Sequence, residues 1–359
     1  MSIKFTNQLI DSELGKLDHQ GFPFLSSEFF KALEGSKSVG EDSGWNPVYI
    51  SDPGKSLLYT FVKNHSYGEY IFDWDWANFY HQNNTSYYPK LTSMIPFTSV
   101  TTPHFLGESS RSVMEAYEKF YEENNFSSSH FLFLPETELD FFKSFDYIIR
   151  DSFQYHFNNN AYETFEDFLS NLKNKKAKQI RKERIFTDSI KITKITGLDL
   201  TLEHADEMYQ FYLSTIDNKQ AIPYLTKSFF VQIFTRLKKN ILYVQAKNLD
   251  VTIAGALYFY DSNRLYGRYW GATESMANLH FELCYYQGIE FCIQKKLSVF
   301  EAGAQGEHKI SRGFSPVKTY SAHKFKHSGF SHAISMYIED ERKNIEKIMS
   351  ILSEKLPFK

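Results

Sequence analysis

The sequence has 359 residues, 42% hydrophobic and 23% charged, which is ordinary globular usage and long enough for two cores. Forty basic against forty-three acidic residues leave a net charge of -3, which excludes a partner recruited by bulk charge alone. No run reaches the roughly eighteen apolar residues of a membrane span, and the opening "MSIKFTNQLIDSELGK" lacks an apolar signal core, so the expected location is cytoplasmic.

From Asn46 to Trp76, "NPVYISDPGKSLLYTFVKNHSYGEYIFDWDW" reads as a strand, a Pro-Gly turn, a second strand, a turn and a third strand. "SSRSVMEAYEKFYEENN" follows as a helix with Ser at its start, and "HFLFLP" as a buried strand. Tyr162 to Arg184 reads as one long joining helix. From Asn240 to Ala272, "NILYVQAKNLDVTIAGALYFYDSNRLYGRYWGA" then repeats the three-strand order with Asn-Leu-Asp and Asp-Ser-Asn as turns. A helix, "NLHFELCYYQGIEFCIQKKL", and a short strand, "SVFEAG", come next, and one further helix closes the chain through "SMYIEDERKNIEKIMSILSEKL". Two meanders, each followed by a helix and another strand, predict an α+β duplication with helices on mixed sheets. The expected spans are 1–160, 161–326 with the basic linking helix at its start, and a terminal helix over 327–359.

The two cysteines, Cys284 and Cys292, fall on one helical pattern roughly 12 Å apart, too far for a disulfide and without zinc-ligand neighbours. They are expected to be buried structural thiols. "HFE" at His280–Glu282 is no metal pair, because residues two apart face different sides of a helix. No metal is expected.

Charge concentrates in "KNKKAKQIRKER", residues 173 to 184, where seven basic residues and one acid give +6. A basic helix on an otherwise acidic chain suits a phosphate-bearing ligand, nucleotide or RNA, with Lys178, Arg181 and Lys182 as contacts; a solvated helix face is the alternative. "RYWGAT" at Arg268–Thr273 partly resembles the Arg-x-x-Gly-x-Gly/Ala loop that holds pyrophosphate in GNAT acetyltransferases, with Thr273 in the last position. A helix start near Asn278 offers free N–H groups to an anion.

The densest polar stretch is "EAGAQGEHKISRGF", residues 301–314, at the C-terminal end of a strand. Its glycines allow sharp bends and close approach. Glu301, Glu307 or His308 suits proton removal from an attacking amine, and Lys309 and Arg312 suit an oxyanion, carboxylate or phosphate. A solvated loop with an internal salt bridge is the alternative.

"FEAGAQGEHKISRGFSPVKTYSAH" (Phe300–His323) resembles the C-terminal motif of a bacterial peptidoglycan biosynthesis/recognition family, FemAB-like, among the GNAT-related acyltransferases. "GWNPVYI" at Gly44, "HSYGEYIFDWDWANFY" at His65, "YYPKL" at Tyr87 and "PFTSVTTPHFL" at Pro96 agree, so the resemblance spans nearly the whole chain. It implies tandem GNAT-like domains. Better-understood relatives transfer an amino acid from aminoacyl-tRNA to a cell-wall peptide, using a basic Arg/Lys-Phe-Lys-x-Gly-Phe segment. Lys309 and Gly313-Phe314 fit that outline, while Ser311 replaces its second lysine. "RKER" is similar to the Arg-x-x-Ile-Arg-Lys helix of the wider group.

The resulting expectation is an N-acyl- or aminoacyltransferase acting in a groove between the two domains. Glu307, His308, Lys309 and Arg312 are the expected catalytic group; Glu301, Gly303, Gln305, Gly306, Gly313 and Phe314 are expected to bind substrate, and the acceptor is expected to be a small molecule, peptide or amino sugar. Acyl-CoA or aminoacyl-tRNA serves as donor, and no permanently bound cofactor is expected. The other reading is a non-catalytic protein holding a cell-wall peptide or phosphorylated small molecule with the same residues.

Overall fold

Each half of the chain builds its sheet by the same recipe. The computed structural model describes residues 3–9, 17, 19 and 21–359. It divides into one unit of 1–153 with 318–348, and another of 154–317 with 349–359.

In the first unit, β1 (Lys4–Thr6), β2 (Trp45–Asp52), β3 (Ser56–Lys63) and β4 (Lys90–Ser93) pair antiparallel in that order, and β5 (Phe105–Gly107) also pairs β3. β4 then pairs β6 (Ser128–Leu134) in parallel, and Tyr320–Phe325 completes the sheet antiparallel to β6. The parallel step requires a crossover, supplied by the helix Arg111–Glu123. Ser110 caps that helix by accepting from the Val113 N–H, and its Val113, Met114, Tyr117 and Tyr121 pack with Leu58, Leu91 and Phe131 in the core.

The second unit repeats the pattern. β8 (Ile190–Thr196), β9 (Ile241–Asn248), β10 (Val251–Tyr260) and β11 (Arg264–Ala272) are antiparallel. β11 pairs β12 (Val299–Glu301) in parallel, and β12 pairs antiparallel with residues 156–158 of β7 (Ile148–Asn158). Each sheet thus takes its last strand from the opposite half of the sequence. This exchange moves the boundaries away from the expected spans: the break falls after Phe153, and the long terminal helix, Ser328–Glu354, belongs to the first unit up to Ile348.

Two predicted elements differ. The third strand of the first repeat is β4, not the aromatic run before it: "WDWANFYHQ" forms a helix, Trp74–Gln82. Alternating aromatics there mimic strand periodicity, but Tyr67, Tyr70, Phe72 and Trp74 are exposed while Glu69 and Asp73 are buried. The joining helix is two short ones, α5 (Phe165–Ser170) and α6 (Asn174–Glu183). Thr164 caps α5, and the chain breaks at Leu172, which bridges to Phe358.

Within the second unit, helix α7 (Leu202–Asn218) lies on β10 and β11 at glycines. A Cβ on Gly271 would stand 1.8 Å from the Phe211 carbonyl oxygen, and one on Gly255 would meet Tyr243 and Phe211 at 2.7–2.8 Å. Gly271, read as part of a phosphate loop, is therefore a packing glycine inside a paired strand.

Candidate functional site

β11 and β12 pair only through Arg264–Tyr266 and Val299–Glu301. Beyond Glu301 the chain follows β7: the Ala302 N–H donates to the Tyr155 carbonyl, and the Tyr155 N–H donates to that of Gly303. The turn Glu307–Arg312 follows, and Phe314 re-enters the core. Gly303, Gly306 and Gly313 all have positive φ, at 80°, 101° and 91°. Gly313 also lacks room, since a Cβ would stand 2.9 Å from the Phe168 ring.

Lys309 holds this loop from inside. Its side chain is buried, and its Nζ donates to the carbonyls of Gly303, at 3.1 Å, and Gln305. The rings of Tyr155 and Tyr285 lie 5.5 and 6.0 Å from the ammonium. Burial pushes its pKa down to about 8, so it is mostly protonated at neutral pH.

Arg312 is also buried and has a partner that sequence spacing did not reveal. Its Nη2 donates to both carboxylate oxygens of Glu183, each at 2.9 Å, while its Nη1 donates to the His308 carbonyl at 2.8 Å. The guanidinium stands over Phe281 at 3.5 Å. Glu183 further accepts from the Tyr286 hydroxyl and from Gln179. Arg312, expected as an oxyanion contact, is thus occupied in shaping the turn.

His308 is exposed, and its Nε2 is 2.9 Å from the Tyr285 hydroxyl. Desolvation and the charges of Arg312 and Lys309 lower its pKa, which leaves the ring neutral at pH 7. When Nε2–H donates to Tyr285, Nδ1 is left to accept a proton. His280, absent from the predicted set, lies alongside at 6.2 Å between ring centroids. Burial, then His308, Lys309 and Arg312, depress it to about 4. Trp270 packs on His280 at 4.8 Å. Nothing in the sequence spacing marks Tyr285 or Trp270, and His280 stands out there only in the excluded metal pair; the fold gathers the three.

The remaining predicted residues divide by accessibility. Gln305 and Glu307 are exposed beside His308, and Gly306 is half-buried, where a Cβ would stand 2.4 Å from the His308 ring. Glu301 and Phe314 are fully buried, Glu301 paired to Arg264 at 2.7 Å, so both support the loop from beneath instead of lining it. Burial pushes both thiols, Cys284 and Cys292, well up, and they stay protonated. Among the described residues no group of His, Cys, Asp and Glu fits a metal ion.

The basic helix α6 carries Lys175, Lys178, Arg181 and Lys182 on its exposed side and buries Ala177, Ile180 and Glu183. Arg181 pairs with exposed Glu166 at 2.6 Å. Arg184, just past the helix, donates to Glu282 at 3.0 Å and stacks on Phe165.

The first unit assembles a separate buried polar group from the segments quoted for the family resemblance. Lys90 Nζ donates to Ser66, Glu69 and Asp73, and Tyr87 donates to Asp73 at 2.7 Å. The Tyr87 hydroxyl contacts His130, whose Nδ1 meets His323 Nδ1 at 2.8 Å. Lys63 lies over Trp45, and burial pushes its pKa down to about 6. Burial raises the Asp73 carboxyl, but the Lys90 ammonium outweighs it and holds Asp73 ionised.

The sequence matches the FemAB-like family, described as peptidoglycan biosynthesis/recognition, over residues 7–359. A comparison with curated proteins gave no match. Among solved structures, FemX superposes with a TM-score of 0.54 at 7% identity, covering 92% of this chain and 100% of that one. L-PGS from Bacillus licheniformis gives 0.53 at 11% identity, covering 85% and 93%. A conserved protein of unknown function from Bacteroides thetaiotaomicron gives 0.55 at 11%, covering 89% and 99%. At these identities the likeness is one of fold. No helix among the described residues is long and apolar enough to cross a membrane.

Proposed function

The chain belongs to the FemAB-like family, of tandem GNAT-like fold and acyl- or aminoacyltransferase relationship, and from that premise we propose that it transfers an aminoacyl group from an aminoacyl-tRNA to an acceptor amine on a peptide or amino sugar, such as a peptidoglycan precursor. The acceptor nitrogen attacks the donor ester carbonyl; a C–N bond forms, the C–O bond to the ribose breaks, and the amine proton passes through His308 to the leaving oxygen. The observation that carries this reading is a neutral, exposed imidazole held against Tyr285 beside a glycine loop. Lys309 fixes that loop, and the divergence of β12 from β11 beside it favours entry of an extended acyl arm. Positioning supplies much of the rate in such a reaction, and a general base adds about 10²–10⁴-fold.

Aminoacyl-tRNA is favoured over acyl-CoA by two observations: Lys178 and Lys182 stand exposed on α6, and the loop resembling a pyrophosphate cradle is a paired strand packed on α7. The test is a transfer assay with pooled aminoacyl-tRNAs and amine acceptors, run with the wild type and His308→Gln. The wild type should form product and H308Q should lose at least about 100-fold in kcat. Ligand binding with no turnover in the wild type would instead establish a recognition protein.

A further inference from the structure

The last two residues of the basic helix run lie at a junction that neither the fold nor the proposed chemistry requires. His308 is held in two places. Its backbone carbonyl accepts from Arg312, which is fixed by both oxygens of Glu183. Its ring meets Tyr285, which sits in the π-turn Glu282–Tyr286. That turn is tied down by the paired hydrogen bonds from Arg184 to Glu282, with Gln287 donating to the same carboxylate at 2.7 Å. The adjacent Tyr286 donates its hydroxyl to Glu183. Both restraints on the imidazole therefore converge on residues 183 and 184.

Glu183 ends, and Arg184 caps, the helix whose opposite, exposed face carries Lys175, Lys178 and Lys182. Glu183 is the only acid in the run and the only charged residue of α6 that is buried. Breaking a buried ion pair by removing one partner is costly, whereas a well-packed apolar pair serves stability equally, so stability alone gives little reason for Glu183–Arg312. A rigid helix with a polyanion-binding face on one side and a charge latch on the other has the construction of a coupling element.

We propose that Glu183 and Arg184 are positioning residues that couple phosphate binding on α6 to the placement of the His308 imidazole. A donor backbone gripped by Lys178 and Lys182 shifts α6, the two ion pairs carry that shift to the turn 307–312 and the π-turn, and His308 is brought to its working position only when donor is present. Water and free acceptor then meet a site whose base is out of register. The inference rests on the donor and base assignments above, but concerns how the parts are connected.

The test uses the full chain labelled at histidine, with the His308 ring signal assigned by its loss in H308Q and inorganic tripolyphosphate as the polyanion. Saturating tripolyphosphate should move the His308 signal in the wild type. Glu183→Gln, which keeps the size and an acceptor for Arg312, should bind the probe within about two-fold of the wild type yet show a His308 response reduced at least about three-fold. Arg184→Gln, acting through the other restraint, should reduce it as well. Lys178→Ala/Lys182→Ala should abolish binding and response together. In transfer assays E183Q should lower kcat about ten-fold while donor KM stays within about three-fold. An equal His308 response in wild type and E183Q, no response in saturated wild type, or an E183Q effect confined to KM would each overturn the coupling. Full transfer by H308Q would remove the base assignment alone, because the ring signal reports position and not turnover.

Discussion

Replacing Lys309 by Met gives the most quantitative check on the site. The ammonium is buried and donates to two loop carbonyls, and burial takes its pKa from 10.5 to about 8. At 1.36 kcal/mol per decade this difference is worth about 3 kcal/mol. Below pH 8 both folded and unfolded chains carry the proton, so the cost of burying the charge is constant and fully present. Between pH 8 and 10.5 the unfolded chain keeps a proton that the folded chain has lost, so stability rises with pH. Above 10.5 neither form is charged and the gain is complete. Lys309→Met has no such titration, while every other ionisable group is shared. The wild type should therefore gain about 3 kcal/mol relative to K309M between pH 8 and 10.5. At pH 7 the loss of two charge-assisted hydrogen bonds, about 1.5–3 kcal/mol each, is largely offset by relief of that burial cost, leaving the variants within about 3 kcal/mol. Urea unfolding followed by far-UV circular dichroism at several pH values measures the difference. A difference that stays flat, or that falls as pH rises, would refute the account of Lys309.

Gly313→Ala should destabilise by about 1–3 kcal/mol in thermal unfolding, because φ is 91° and Phe168 blocks the Cβ; Gly303→Ala, with open space around it, should cost only about 1 kcal/mol of backbone strain. A larger loss for Gly303 would contradict the packing described. Lys90→Met should cost about 3–5 kcal/mol by stranding Asp73 and Glu69, with most of it recovered in the triple variant that adds Asp73→Asn and Glu69→Gln. If α6 binds phosphate, Lys178→Ala/Lys182→Ala should flatten the slope of log affinity for tRNA against log salt by about two. An unchanged slope would place the RNA elsewhere.

Local signals carried the regular elements. Ser110 before Arg111 and the apolar spacing of "SVMEAYEKFY" mark the crossover helix, and the turns at Asn-Leu-Asp and Asp-Ser-Asn bound β9 to β11. The aromatic run after Lys63 misleads because exposed Tyr70, Phe72 and Trp74 recur every second residue as strand residues do, while the true third strand waits until Lys90. The joining helix looked continuous because nothing between Ser170 and Asn174 forbids helix; its break is made by residues at the far end of the chain. At the site, Lys309 and His308 stood out by residue type. Glu183 could not be matched to Arg312, nor His280 to His308, because these contacts exist only after β12 and the π-turn are packed together. The strand exchange through β7 and residues 320–325 is long-range pairing, which no local period records.

The central claim is that His308 acts as a neutral base in aminoacyl transfer. Its most direct test is the pH dependence of single-turnover transfer from aminoacyl-tRNA to an acceptor peptide, comparing wild type with H308Q. Because desolvation and the nearby Arg312 and Lys309 charges lower the imidazole pKa, the acid limb of the wild-type rate should lie below that of an ordinary histidine, and H308Q should lose that limb with at least about 100-fold in rate. An H308Q enzyme with wild-type rate and the same acid limb would contradict the claim.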